Sequence, residues 1–119
     1  MAAGEAVFHP GALLNLAAQL QCTAIPRSYA LTFLEMLQTR VDRILSAIGN
    51  NNVEAAMDAI LSLKVNSHMV GGLAMEQACC TLERHLRNGK PTAAALADST
   101  LAAHGAALAQ ALTGYLRMT

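Results

Sequence analysis

The chain has 119 residues, of which 54% are hydrophobic and 13% are charged, and its eight basic and eight acidic side chains cancel at pH 7. This length and hydrophobic content are enough to form one buried core, which argues against a disordered chain. The chain is too short for two domains of ordinary size. A neutral chain without a basic face gives no electrostatic reason to expect nucleic acid or an anionic membrane as a partner.

Aromatic residues make up only 3% of the chain, and there is no Trp. The core must therefore be built from Leu, Ala, Ile, Val and Met, which suits closely packed helices. No stretch alternates apolar and polar residues for long enough to indicate a strand. We therefore expect an all-α protein.

The first two predicted helices each follow a proline. Pro10 stands at a helix-opening position before GALLNLAAQLQ, and Pro26 and Ser28 are expected to open a longer second helix. Gly49 and the three asparagines after it should end that helix, and the last of them, Asn52, can cap the third. The apolar positions of the second helix recur at steps of three and four, as one buried stripe does: Ala30, Phe33, Leu37, Val41, Ile44 and Ile48.

Three more helices are predicted after the asparagines. The inward positions of the third helix are Ala56, Ile60, Leu63, Ser67 and Val70, and Gly71 and Gly72 should end it. Those of the fourth are Met75, Cys79, Leu82 and Leu86, with an end at Asn88 and Gly89. Pro91 and Thr92 should start the last helix, whose shared face is Ala97, Leu101, His104, Leu108, Leu112 and Tyr115. Because the connections are short, we expect an up-and-down antiparallel four-helix bundle with a short extra N-terminal helix.

The cysteines and the N-terminus indicate a cytoplasmic protein. Three cysteines, an odd number, fit reduced thiols better than a disulfide framework. Cys79 and Cys80 are adjacent, so they point in different directions on a helix, and we expect them to be small buried residues. MAAGEAVFHPG lacks the basic start and apolar run of a signal peptide, and no apolar run approaches the ~20 residues that span a bilayer.

A second line of residues runs beside the core stripe of the third helix. Helical geometry places it about 40–60° round from the core positions, where side chains are partly exposed to solvent. Lys64 should keep its charge in water there. The members of this line are Met57, Leu61, Lys64, His68 and Gly71.

At this point the sequence resembles the histidine-containing phosphotransfer (HPt) family, the helical-bundle carriers of bacterial phosphorelays. The centre of that family reads His-x-Leu-Lys-Gly, followed by small residues, an apolar-glycine step and a helix with a Leu-Glu pair. LSLKV supplies Leu63 and Lys64 of this motif, and NS supplies the small residues. The later elements of the motif also follow at the family's spacing: Val70 with Gly71, then Cys79, then Leu82 with Glu83. The helix, turn and helix that precede the histidine in the family resemble the segment AIGNNNVEAAMDAILSLK of this chain. The whole resemblance covers about Phe8 to Leu112.

The resemblance implies that residues 1–119 form a single HPt-like domain that acts in a two-component phosphorelay. The chain differs from the family motif at two residues of the functional position. Leu61 occupies the place of the phosphoacceptor histidine and has no nucleophile, and Val65 replaces the glycine that follows the lysine. We therefore expect no catalytic residue, and a pseudo-phosphotransfer protein that binds a response-regulator receiver domain or a sensor histidine kinase. Its expected binding surface comprises Met57, Leu61, Lys64, Val65 and His68.

Two alternatives remain open. His68 lies seven residues after Leu61, about 10 Å along the helix axis, with Lys64 four residues before it and Gly72 four residues after it. An imidazole there could serve as the acceptor of an active carrier. The other alternative is a helical interaction protein outside phosphorelays that dimerises through its alanine-rich helices.

The remaining polar residues do not indicate an enzyme. The sequence offers no constellation of base, nucleophile and orienting partner, and no spacing typical of a metal site or a phosphate loop. We expect neither a metal nor a cofactor. Glu54 and Asp58, at i and i+4, are expected to form a solvated face, and His9, His85 and His104 to serve no ligand role.

Overall fold

The structure, a computed structural model, describes residues 6–21, 24–89 and 93–118, with the side chains of 93–99 outside that description. In these ranges the regular secondary structure is entirely α-helical, without a strand, which confirms the all-α prediction. The helices are α1 (Gly11–Leu20), α2 (Ala24–Gly49), α3 (Val53–Val70), α4 (Leu73–Arg87) and α5 (Ala93–Met118). None of them is long and apolar enough to cross a membrane.

The helices pack around one aliphatic core. α2 and α4 each pack against both α3 and α5, and α1 lies against α2 and α3. Every helix contributes to the core, α1 through Leu13 alone and the others through several side chains. Ile60 and Leu63 on α3 are fully buried, as are Leu108 and Leu112 on α5. Burial of each such side chain contributes about 1.5–3 kcal/mol to folding.

The start of α2 differs from the prediction. The helix begins at Ala24, so Pro26 lies buried in its first turn and Ser28 is an exposed position inside the helix instead of its opening residue. Proline is tolerated in a first turn because the N–H it lacks has no intrahelical acceptor there. Ile48, expected in the core stripe, is only half-buried because it lies at the last turn of α2.

α3 follows the sequence prediction at both ends and along its buried face. The Asn52 side chain accepts a hydrogen bond from the Ala55 N–H at 3.1 Å, which caps the helix. All five predicted inward positions are completely buried. Gly71 has a left-handed φ of 82° at the C-terminal cap, and the Gly72 N–H donates to the Ser67 carbonyl at 2.7 Å.

The segment before α1 is hydrogen-bonded to the turn between α3 and α4. The His9 N–H donates to the Gly71 carbonyl at 2.7 Å, and the Ala74 N–H donates to the Ala6 carbonyl at 2.8 Å. The His9 carbonyl oxygen lies so close to Gly71 that a Cβ on that glycine would overlap it. Both the backbone conformation and the space at position 71 therefore require glycine.

α4 and α5 complete the core with small differences from the prediction. Met75, Cys79 and Leu82 are buried, whereas Leu86 is half-buried, and α4 ends before Asn88 and Gly89 as expected. On α5 the predicted leucines are buried. His104 and Tyr115 are half-buried. The expected start at Pro91 and Thr92 and the side chain of Ala97 lie outside the described residues.

Candidate functional site

α3 presents the predicted surface residues on the side away from its core stripe. Leu61 is 50% exposed and Val65 is 51% exposed. Met57 is half-buried, and the His68 side chain is 65% exposed. This orientation follows from the buried stripe, because a helix that turns Ile60 and Leu63 inward must turn Leu61 and Val65 outward.

Met69 belongs to the same surface and was missed in the sequence analysis. It is 38% exposed and lies one turn after Val65. Four residues at steps of four form one continuous row on α3, which we call the apolar ridge: Met57, Leu61, Val65 and Met69. Rows with this spacing are the ridges through which helices most often pack against other helices. The four-residue step from Met57 could have identified Met69.

Lys64 is engaged with α4 and is not the solvated lysine that the sequence suggested. Its Nζ lies 3.0 Å from Oε1 of Glu83, and the two side chains are 24% and 15% exposed. The other carboxylate oxygen of Glu83 accepts a hydrogen bond from Arg87 at 2.8 Å. The hydrogen bond between Lys64 and Glu83 raises the pKa of Lys64 and lowers the pKa of Glu83. The ammonium therefore has a partner beside the apolar ridge.

His68 contacts a carboxylate that sequence reasoning did not assign to it. Its Nδ1 lies 3.0 Å from Oε1 of Glu76 in the first turn of α4. The other ring nitrogen has no hydrogen bond to the described residues. The ring borders a shallow, open hollow whose lining residues are His68, Leu73, Glu76, Gln77 and Cys80. His68 thus lies at the end of the apolar ridge, where α3 meets α4.

The opposite side of α3 is tied to α2 by polar contacts. Arg40 Nη1 donates to Ser62 Oγ at 2.7 Å, and the Tyr29 hydroxyl donates to the Asn66 side-chain oxygen. Burial raises the pKa of Tyr29. The Asn66 amide also donates to the Ser62 carbonyl at 2.7 Å. These contacts fix the rotation of α3 and so the direction in which the apolar ridge faces.

Among the described residues, the remaining candidate side chains do not form a metal-binding cluster. No group of three or more His, Cys, Asp or Glu within the described ranges is placed to hold a metal ion. Cys79 is buried, as expected, and burial raises its pKa to about 12. Cys80 is only half-buried, because it faces the edge of the hollow beside α3, and the third cysteine lies outside the described residues. Glu54 and Asp58 are exposed, as expected.

The arrangement is suited to binding. An aliphatic side chain at position 61 cannot accept a phosphoryl group, whereas a half-exposed leucine between a valine and a methionine loses water contacts when another surface covers it. Comparisons of the chain with models of protein families, with curated proteins and with solved structures found no match.

Proposed function

We propose that the chain is a cytoplasmic HPt-like module that docks on a receiver domain or a sensor histidine kinase without carrying phosphate. The observation that carries the proposal is the half-exposed side chain of Leu61, in the middle of the apolar ridge. The sequence resemblance to the HPt family puts the phosphoacceptor histidine at this position. A module with leucine at this position keeps a surface for docking but has no nucleophile to accept a phosphoryl group.

The helix arrangement is compatible with the bundle of such a module. We take α2 to α5 as an up-and-down antiparallel four-helix bundle and α1 as the extra N-terminal helix. Each of these four helices packs against two others of the set. The cross-helix pairs Lys64–Glu83 and His68–Glu76 run in opposite order along α3 and α4, which supports an antiparallel pair.

The residues around Leu61 also favour binding over transfer. Lys64, the lysine that would help to neutralise a phosphate in the family, is held by Glu83. Val65 is half-exposed one turn from Leu61, where the resemblance expects a bare glycine backbone. Val65 therefore extends the apolar contact surface, and the ammonium beside that surface is already paired with a carboxylate. Covering a leucine completely contributes about 1.5–3 kcal/mol, and roughly half of that is still available at Leu61.

A binding experiment with a matched control tests the proposal. Receiver domains and kinases of the source organism are titrated with the wild-type chain, Leu61→Ala and Leu31→Ala, since Leu31 is a comparably exposed leucine (42%) on α2. We expect at least one partner whose affinity falls about three- to tenfold with Leu61→Ala and stays unchanged with Leu31→Ala. Equal losses for the two variants, or no binding partner at all, would contradict the proposal.

Phosphoryl transfer separates this module from an active carrier. The wild-type chain is incubated with a phosphorylated receiver, and acid-labile label on the chain is measured beside that of His68→Gln. We expect no label on either protein. Label on the wild type that disappears with His68→Gln would instead identify His68 as an acceptor and overturn the pseudo-phosphotransfer assignment.

A further inference from the structure

Residues 6–9, which we call the N-terminal strap, lie across the turn between α3 and α4. The Ala6 carbonyl accepts a hydrogen bond from the Ala74 N–H at 2.8 Å, and the His9 N–H donates to the Gly71 carbonyl at 2.7 Å. One of these bonds lies at each end of the strap. Together they fix the position of the strap on the turn.

The strap supplies a cap for the start of α4. The residue before this helix is Gly72, which has no side chain to accept a hydrogen bond from the first turn. The first N–H groups of a helix have no acceptor within the helix, and a helix start without a cap is less stable. The Ala6 carbonyl takes the place of a capping side chain at Ala74. The same turn carries Glu76, whose carboxylate contacts His68.

Few contacts hold the strap on the bundle. Ala6, Val7 and His9 are exposed, and Phe8 is half-buried. The Phe8 ring packs edge-to-face against Tyr115 of α5, with the ring centroids 5.2 Å apart. Each helix, in contrast, inserts at least one almost completely buried side chain into the core. Segments with few buried apolar contacts open locally at a lower free-energy cost than unfolding of the whole chain.

We propose that the N-terminal strap is a latch that opens and closes while the helical bundle stays folded. When the strap is closed, the Ala6 carbonyl caps α4 and the Phe8 ring is packed on α5. When it is open, both hydrogen bonds to the turn are broken and the first turn of α4 loses its cap. The strap thus controls the order of the turn at which His68 meets Glu76. This inference does not depend on the proposed docking function, because the test uses the chain alone.

Native-state hydrogen exchange of the full chain, followed by NMR, measures the opening of the strap. One opening breaks both bonds, so the His9 and Ala74 N–H groups should have protection factors that agree within about tenfold. Both should exchange at least about hundredfold faster than the N–H groups of Ile60 and Leu108, which are completely buried residues of α3 and α5. A larger disagreement between His9 and Ala74, or protection as high as that of the core, would overturn the proposal.

A core substitution separates local opening from unfolding of the whole chain. Ile44→Val removes one methyl group from a completely buried position on α2 and destabilises the closed and the open strap equally. Exchange at Ile60 and Leu108 should therefore accelerate about two- to tenfold, whereas exchange at His9 and Ala74 should not change. Low concentrations of urea should have the same selective effect, because unfolding exposes far more surface than opening of the strap does. Parallel acceleration of all four N–H groups would show that the strap opens only when the bundle unfolds.

A substitution in the strap itself tests its anchor. Phe8→Ala should accelerate exchange at His9 and Ala74 by at least about tenfold, because only the closed strap loses the aromatic contact. Val7→Ala is the matched control, since the neighbouring Val7 side chain is exposed, and it should change these rates by less than about threefold. Circular dichroism confirms that both variants are folded. Equal effects of the two substitutions, or no effect of Phe8→Ala, would contradict the latch.

Discussion

The ammonium of Lys64 on α3 lies 3.0 Å from Oε1 of Glu83 on α4, beside the exposed apolar ridge. The two residues are 19 positions apart in the chain and link the helix that presents Leu61 to the next helix. This ion pair therefore fixes α3 against α4 and holds the candidate docking surface in place. It also means that the ammonium of Lys64, beside that surface, already has a carboxylate partner.

Removing this pair should destabilise the fold modestly and in a pH-dependent way. We expect Glu83→Gln to lower the free energy of unfolding by about 1 kcal/mol near pH 7, since the pair is only partly shielded from water. The pKa of Glu83 is lowered from its ordinary 4.5, so its contribution is present above that value and is lost as the pH falls through the lower folded-state value. The pKa of Lys64 is raised from its ordinary 10.5, so its contribution is lost only at more alkaline pH.

Urea unfolding at several pH values measures this effect. Wild type and Glu83→Gln should differ at neutral pH and converge as the pH falls through the lowered pKa of Glu83, where the carboxylate becomes protonated. Arg87→Met, which removes the more exposed partner of Glu83, should cost less than Lys64→Met. A difference between wild type and Glu83→Gln that persists at pH 2 would show that packing, and not charge, is responsible.

Ser67→Ala should leave the protein equally stable or make it more stable by about 1 kcal/mol. The substitution removes a buried hydroxyl that lost its hydrogen bonds to water on folding and gained none in the core. Ser67 is completely buried among apolar core residues, and its Oγ has no hydrogen-bond partner among the described residues. Thermal and urea unfolding measure the change, with the exposed Ser46→Ala on α2 as the control. A loss of more than about 1 kcal/mol would indicate that the hydroxyl has a partner in solution.

Gly71→Ala should lower the free energy of unfolding by at least about 2 kcal/mol. Alanine is strained at a φ of 82°, and its Cβ would overlap the carbonyl oxygen of His9. Gly114→Ala is the matched control, because nothing lies within 4 Å of a Cβ at that α5 position. There alanine should stabilise the helix by about 0.5–1 kcal/mol. Similar effects of the two substitutions would contradict the close contact between His9 and Gly71.

Cys80 should react with thiol reagents far faster than Cys79. Cys79 is buried and its pKa is raised to about 12, so it forms almost no thiolate near neutral pH, whereas Cys80 reaches the hollow beside His68. Alkylation with iodoacetamide at pH 8 in a Cys22→Ser background, followed by peptide mass analysis, compares the two. Cys80→Ser should remain unlabelled until urea unfolds it. Equal labelling of both cysteines in the native protein would show that α4 opens readily.

Leu61→His combined with Val65→Gly should create a phosphoryl acceptor if the proposed relation to HPt domains holds. The half-exposed position of Leu61 gives an imidazole access to a docked receiver, and removal of the valine side chain clears the approach. Acid-labile label transferred from a phosphorylated receiver that binds the wild type is the measurement, with Leu61→Gln plus Val65→Gly as the control. Label absent from the double variant would argue against an HPt-like docking geometry.

Several elements could be predicted from the sequence because they depend on local geometry. The step of three and four residues determined the buried face of α3, and with it the outward direction of Leu61 and Val65. Asn52 and Gly71 were recognisable as helix ends because a side-chain cap and a left-handed residue satisfy backbone groups within one turn. The same reasoning misplaced the start of α2, because proline and serine are both acceptable in several positions of a first turn.

The sequence by itself determined an all-helical chain and a row of apolar side chains turned away from the core, since both follow from the period of a single helix. Only the tertiary structure decided that Lys64 pairs with Glu83, that His68 meets Glu76, and that the His9 carbonyl closes over Gly71. These contacts join different segments of the chain. Their existence depends on the separation and rotation of packed helices, which no local spacing of residues specifies.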